Sequence, residues 1–145
     1  MSIRAVRWGE LLALAGAICV IVSLVRPWYS APSGNLGPWD TFGPSIVLLL
    51  LATAGALWLF LSTLTERSVA VPVRACVWSV LLGAAAVIAA IVRVLERPDH
   101  ATGLCAGAWL ALAGSVAILA GAWHSITDER RALYAPASPE PRPAP

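Results

Sequence analysis

The sequence predicts an all-α protein, a four-transmembrane-helix antiparallel bundle, and three observations predict it. Four stretches carry no charged side chain: residues 11–25, 41–65, 75–92 and 101–123. Hydrophobic residues make up 59% of the 145-residue chain and charged residues only 12%. A soluble domain carries about 25% charged residues, so too little charged surface exists to cover four apolar helices in water. The segments outside these runs, short apart from loop 26–43 and the tail, hold all ten arginines. Since a helix rises about 1.5 Å per residue, roughly 20 residues cross a ~30 Å hydrocarbon core.

The first span is expected over about 8–26. Its uncharged run is short, so Trp8 and Trp28 are read as marking its two interfaces, with Glu10 near the inner headgroups. A cleaved signal peptide is the rival reading. Glu10 interrupts its early part, and Pro32 spoils the Ala31-Pro32-Ser33 cleavage site, which favours a retained helix. The second span is expected over 44–65 and the third over 73–95. Pro44 begins the second and Pro72 precedes the third, positions that suit helix starts, where a missing N–H costs little. Arg74 and Arg93 bound the third span's apolar run and can snorkel toward water. The fourth span is expected over 102–124. Residues 1–130 thus form one transmembrane domain and 131–145 a Pro-rich tail, which suits a polyproline-like segment and a soluble partner.

Four spans put both termini on one side. Arg4, Arg7, Arg67, Arg74, Arg130, Arg131 and Arg142 fall on that side, against Arg26, Arg93 and Arg97 on the other. The positive-inside rule makes the first side cytoplasmic. All ten basic residues are arginine, and the net charge of +2 is too small to point to nucleic acid. The expected location is a bacterial cytoplasmic membrane, with the lipid bilayer as the first partner.

No Asp, Glu, Lys, Arg or His lies within a span core. Such residues mark proton relays and ion paths, so a pump or secondary transporter is disfavoured. The hydroxyls of Thr53, Ser79 and Ser115 are expected to bind helix carbonyls. Cys19, Cys76 and Cys105 have no metal or disulfide spacing and read as small apolar residues, while His100 and His124 fall at opposite faces. No cofactor, metal or catalytic residue is expected.

Small residues supply the packing surfaces, because helices in lipid associate by close approach. Gly103 and Gly107 form a GxxxG step, and Gly107, Gly114 and Gly121 repeat at seven-residue intervals. Smaller stripes are Gly9/Ala13/Ala17, Ala52/Ala56 and Ser79/Gly83. The main reading is packing within one bundle; the sharper one gives the fourth-span stripe to another subunit. Loop 26–43 supplies the candidate outer interaction surface: Arg26, Trp28, Tyr29, Trp39, Asp40 and Phe42. Its aromatic residues are expected at headgroup level, and Asp40 is read as capping the second span or pairing with Arg26.

The segments LVRPWYSAPSG at 24–34, WDTFG at 39–43 and GAWLALAG at 107–114 resemble small four-span membrane proteins of actinobacteria. The resemblance implies topology and no catalytic role. A fold-level analogy to claudin-like tetraspan proteins also exists. Here the first loop lacks their two cysteines and is expected to be too short for their extracellular sheet.

Together these features favour a structural or accessory subunit of a membrane assembly, self-associating or joined to another membrane protein. Alternatives are a binder of lipid, quinone or another hydrophobic small molecule, which needs a lateral tryptophan-lined pocket beneath loop 26–43, and an oligomeric channel or transporter component. An enzyme is not expected.

Overall fold

The computed structural model describes residues 8–41, 43–65 and 70–133. The protein is mostly helical, with one small antiparallel sheet. The elements in order are α1 (Trp8–Leu24), β1 (Tyr29–Ala31), β2 (Gly34–Leu36), a short α2 (Pro38–Thr41), a 3-10 turn (Gly43–Ser45), α3 (Ile46–Thr65), α4 (Ala70–Leu95), β3 (Gly103–Leu104) and α5 (Ala106–Leu133). Among the described residues, three helical segments are long and apolar enough to cross a membrane: Gly43–Ser62, Arg74–Leu95 and Ala106–Asp128. The apolar α1 is shorter, at 17 residues. This is a multi-pass membrane protein.

The distribution of side-chain size fits lipid as solvent. Much of the buried core is alanine, including Ala13, Ala17, Ala52, Ala56, Ala86, Ala90, Ala111 and Ala122. Large side chains such as Leu11, Ile18, Leu50, Leu61, Leu81, Ile88 and Val116 stand exposed. In water such a surface would drive aggregation. In lipid, where burial of apolar side chains gains little, large residues face the tails and small ones let helices meet.

The closest meeting is between α1 and α5, which run in opposite directions. A Cβ built on Gly9 would lie 2.6 Å from the Gly121 carbonyl oxygen. One on Gly16 would lie 2.6 Å from the Gly114 carbonyl oxygen, and one on Gly114 would lie 2.7 Å from the Gly16 oxygen. The contacts recur every seven residues on both helices, the spacing that keeps a seam aligned in left-handed packing. At the end of the seam, Gly107 meets the chain just beyond α1, where a Cβ would lie 2.5 Å from the Pro27 oxygen. The remaining neighbours are α4 beside α5, α3 beside α4, and α1 beside α3. The Ser79 hydroxyl donates to the Gly55 carbonyl at 2.9 Å, joining α4 to α3.

Several sequence expectations are corrected. The chain is not all-α: loop 26–43 folds into β1 and β2, and the second outer connection adds β3, giving the order β2-β1-β3. The first loop alone is indeed short, but the third strand comes from elsewhere in the chain. A two-residue strand leaves no periodic signal in sequence. Gly103 consequently lies in β3, outside α5, so Gly103 and Gly107 do not form a helical GxxxG step. The last helix begins at Ala106 and reaches Leu133, three residues into the expected tail; the Pro-rich segment 134–145 lies outside the described residues, as do Arg4 and Arg7. Pro72 falls inside the first turn of α4, where its N–H would have no helical acceptor. Glu10 is buried in the first turn of α1, where negative charge complements the helix dipole.

Gly114→Val should destabilise the protein by about 1–3 kcal/mol through overpacking. Ala15→Leu, on the exposed side of α1, should leave stability nearly unchanged. Thermal unfolding of both variants in one detergent checks the contrast.

Candidate functional site

The chemistry-bearing residues gather at the end of the molecule where β1, β2 and β3 lie. The hairpin turn there is Ala31-Pro32-Ser33-Gly34. Pro32 pre-sets its own φ, and Gly34 adopts φ +127°, a conformation side chains disfavour. The register pairs Tyr29 with Leu36 on one side and with Leu104 on the other. Thr102 N–H donates to the Ser30 carbonyl at 2.8 Å, and Cys105 N–H to the Trp28 carbonyl at 2.8 Å. Gly107 N–H reaches the Pro27 carbonyl at 3.1 Å. Two of the otherwise unpaired N–H groups before and within the first turn of α5 are therefore satisfied by the segment leaving α1.

Three aromatic residues of the loop cap helix ends. The Trp28 indole N–H donates to the Ser23 carbonyl at 2.9 Å, and the Trp39 indole N–H to the Leu24 carbonyl at 3.1 Å. Both acceptors belong to the last turn of α1. The Tyr29 hydroxyl donates to the Arg93 carbonyl at 2.6 Å, in the last turn of α4 and 64 residues away. Trp28 and Tyr29 are fully buried, 0% exposed each, whereas Trp39 is 63% exposed. Trp28 and Tyr29 thus pack inside the protein and offer no exposed face to lipid. Their polar tips find acceptors inside the protein. Phe42 lies outside the described residues.

Arg26 and Asp40 are exposed. Asp40 turns toward neither α3 nor Arg26: its carboxylate accepts the Gly37 N–H at 3.3 Å. This is the reach-back half of a capping box around α2, whose first residue is Pro38. The Arg93 guanidinium reaches the Ser45 hydroxyl at 3.3 Å, while its carbonyl receives Tyr29. One residue thereby joins the end of α4, the start of α3 and the sheet. Sequence reasoning placed Arg93 only as a flanking charge. Its link to Ser45 spans two helices and leaves no local pattern.

Two open cavities follow the seam between α3 and α4. One, of about 430 Å³, lies toward the end of α4 and is lined by Ser45, Leu48, Ala85, Val92, Arg93 and Glu96, among others. The next, of about 320 Å³, is apolar and is lined by Leu51, Gly55, Trp58, Trp78 and Leu82 with Ala54. The deeper polar side chains serve packing. Thr53, Ser62 and Ser115 donate to carbonyls of their own helices, and Ser23 does the same. Ser79 likewise binds a helix carbonyl, that of Gly55 on the neighbouring helix. Cys19 and Cys105 are half-buried, Cys76 is buried, and none of these three is in a disulfide. His124 sits 3.1 Å from Asp128, one turn further along α5, and His100 lies in the turn before β3. Of the proposed packing face, Gly107, Gly114 and Gly121 lie on α5 against α1 and its exit. Among the described residues, no group of three or more His, Cys, Asp and Glu side chains is placed to hold a metal ion.

No protein-family model matches this chain, and no similar chain was found among curated proteins or solved structures.

Burial pushes the Tyr29 phenol above its ordinary value, with the Arg93 and Arg97 charges pulling weakly the other way. The fold therefore favours the neutral phenol. Above the ordinary value of about 10, the unfolded chain loses this proton first, so stability falls as pH rises toward the folded value. Tyr29→Phe should cost about 1 kcal/mol below pH 9 and should flatten the alkaline fall. Unfolding midpoints of both proteins between pH 8 and 11 check the two effects together.

Proposed function

We infer that this protein is a structural or accessory subunit of a membrane assembly, a four-span antiparallel bundle without catalysis of its own. Two observations support the fourth span. α1 has 17 residues, about 25 Å of helix, and it runs beside the membrane-length α5 along the Gly9–Gly121 and Gly16–Gly114 contacts. A helix locked at both ends to a spanning partner crosses the same layer.

The accessory role is carried by how the interior uses its polar atoms. The hydroxyls of Ser23, Thr53, Ser62, Ser79 and Ser115 and the tips of Trp28, Tyr29 and Trp39 engage main-chain carbonyls, the buried Ser125 hydroxyl being the exception among the described residues. That pattern suits a rigid scaffold better than a polar pathway. The outward face of α5 presents Trp109, Val116 and Trp123 at seven-residue intervals, all exposed. With its glycine face closed by α1, this aromatic face is the one α5 offers to another membrane protein or a second copy.

Orientation belongs to the same reading. The arginine distribution supports cytoplasmic termini with the sheet on the outer side, and the membrane is read as a bacterial cytoplasmic one. In a cysteine-free background, Ser33→Cys should react with a membrane-impermeant maleimide on intact cells, and Ser2→Cys only after lysis. The reverse pattern would invert the topology.

Native mass spectrometry after gentle extraction tests the assembly role. A fixed homomultimer or a constant partner, disrupted by Trp109→Ala with Trp123→Ala, is the expected result. A monomer across extraction conditions would overturn it.

A further inference from the structure

The seam between α3 and α4 has the shape and charge order of a bound phospholipid. On α4, Trp78, Leu82, Ala85, Ala89, Val92 and Glu96 recur at three- and four-residue steps and so share one stripe. That stripe lines both cavities, which follow each other along the same helix pair. From Arg93 down to Trp78 the furrow runs about 22 Å. One leaflet with its headgroup region is about 20–22 Å deep. Below the rim the lining is apolar, and the small residues Ala54, Gly55 and Ala85 leave the trough open.

The rim carries one guanidinium and one carboxylate. Arg93 lies deeper, beside Ser45, and Glu96 lies about one helical turn further out, exposed and lining the same cavity. A phosphoethanolamine headgroup has the same order: the phosphate sits next to the glycerol and the ammonium extends outward. The phosphate would accept from Arg93 and Ser45, and the ammonium would donate to Glu96. An uncharged quinone would bring no ammonium to Glu96, and an anionic glycerol headgroup would place no cation there either.

We propose that the α3–α4 furrow is a specific site for a zwitterionic, ethanolamine-type phospholipid from the leaflet on the sheet's side. The site takes one lipid per chain, with an acyl chain reaching Trp58 and Trp78. It does not depend on the assembly role.

The test uses full-length protein, stripped of lipid in a mild detergent and titrated with phosphatidylethanolamine, phosphatidylglycerol or phosphatidylcholine of equal chain length. Native mass spectrometry counts retained lipid. Brominated chains report, by tryptophan quenching, whether they reach Trp58 and Trp78, with a Trp58→Phe/Trp78→Phe variant as reference. One phosphatidylethanolamine per chain should be retained in preference to the others. Glu96→Gln and Arg93→Gln should each weaken retention on the order of fivefold, the effect of one charge contact near a membrane surface. Ala85→Trp should abolish retention, and its unfolding midpoint shows whether the fold survives. If it does not, the Glu96→Gln result, at an exposed side chain, decides alone. Equal retention of the three lipids, preference for phosphatidylglycerol, a copurifying quinone in the furrow, or retention indifferent to Glu96 would each overturn the proposal.

Discussion

The rest of the structure depends on the approach of two backbones. Along the α1–α5 seam, carbonyl oxygens of one helix lie where the other helix would carry a Cβ, at Gly9, Gly16, Gly114 and Gly121. Such contact brings many atom pairs to van der Waals distance, and Cα–H groups toward carbonyl oxygens. In lipid this replaces the hydrophobic drive that would bring helices together in water. It also fixes the height of one helix on the other. That height sets Pro27 and Trp28 over the start of α5, so Cys105 and Gly107 can donate to them. The sheet is therefore a consequence of the seam: β1 and β3 meet because the helices beneath them are in register.

The polar cap continues the same logic. In a bilayer, an unpaired main-chain group at a helix end is costly wherever water is scarce. Here the last carbonyls of α1 receive two indole N–H groups, and a carbonyl in the last turn of α4 receives a phenol. Each aromatic ring also fills space. Trp28 and Tyr29 are the largest fully buried side chains among the described residues, so bulky aromatic packing sits at the end of the bundle. The alanine- and glycine-rich middle is tight because its residues are small, and the cap is tight because its residues are large.

Much of the helical layout was legible because a charge-free run of membrane length satisfies its backbone in lipid by becoming a helix. The seven-residue repeat of Gly107, Gly114 and Gly121 was legible too, but its partner was not. A four-residue reading of the first span selects Gly9, Ala13 and Ala17 and passes over Gly16, which only the antiparallel register pairs with Gly114. The candidate site was less readable. Trp28, Tyr29 and Trp39 carry the same local signature whether they lie in headgroups or cap helices. The difference rests on acceptors such as the Arg93 carbonyl, far along the chain. Asp40 misled because a carboxylate in a loop can reach several N–H groups, and the nearest was Gly37. Arg93 read as a flanking charge until α3 stood beside it.

The seam also sets an order on biosynthesis. Its two halves, Gly16 and Gly114, stand at opposite ends of the chain, so the first helix leaves the ribosome long before its partner exists. At about 5–20 residues per second, that interval is roughly 5–20 s. Through it α1, whose close-packing face is built for α5, has only α3 and the insertion machinery for company. β1 likewise stays without β3 until the same moment. Completion of the fold is thus a single late event, in which the arrival of one helix closes the helix seam and the sheet together.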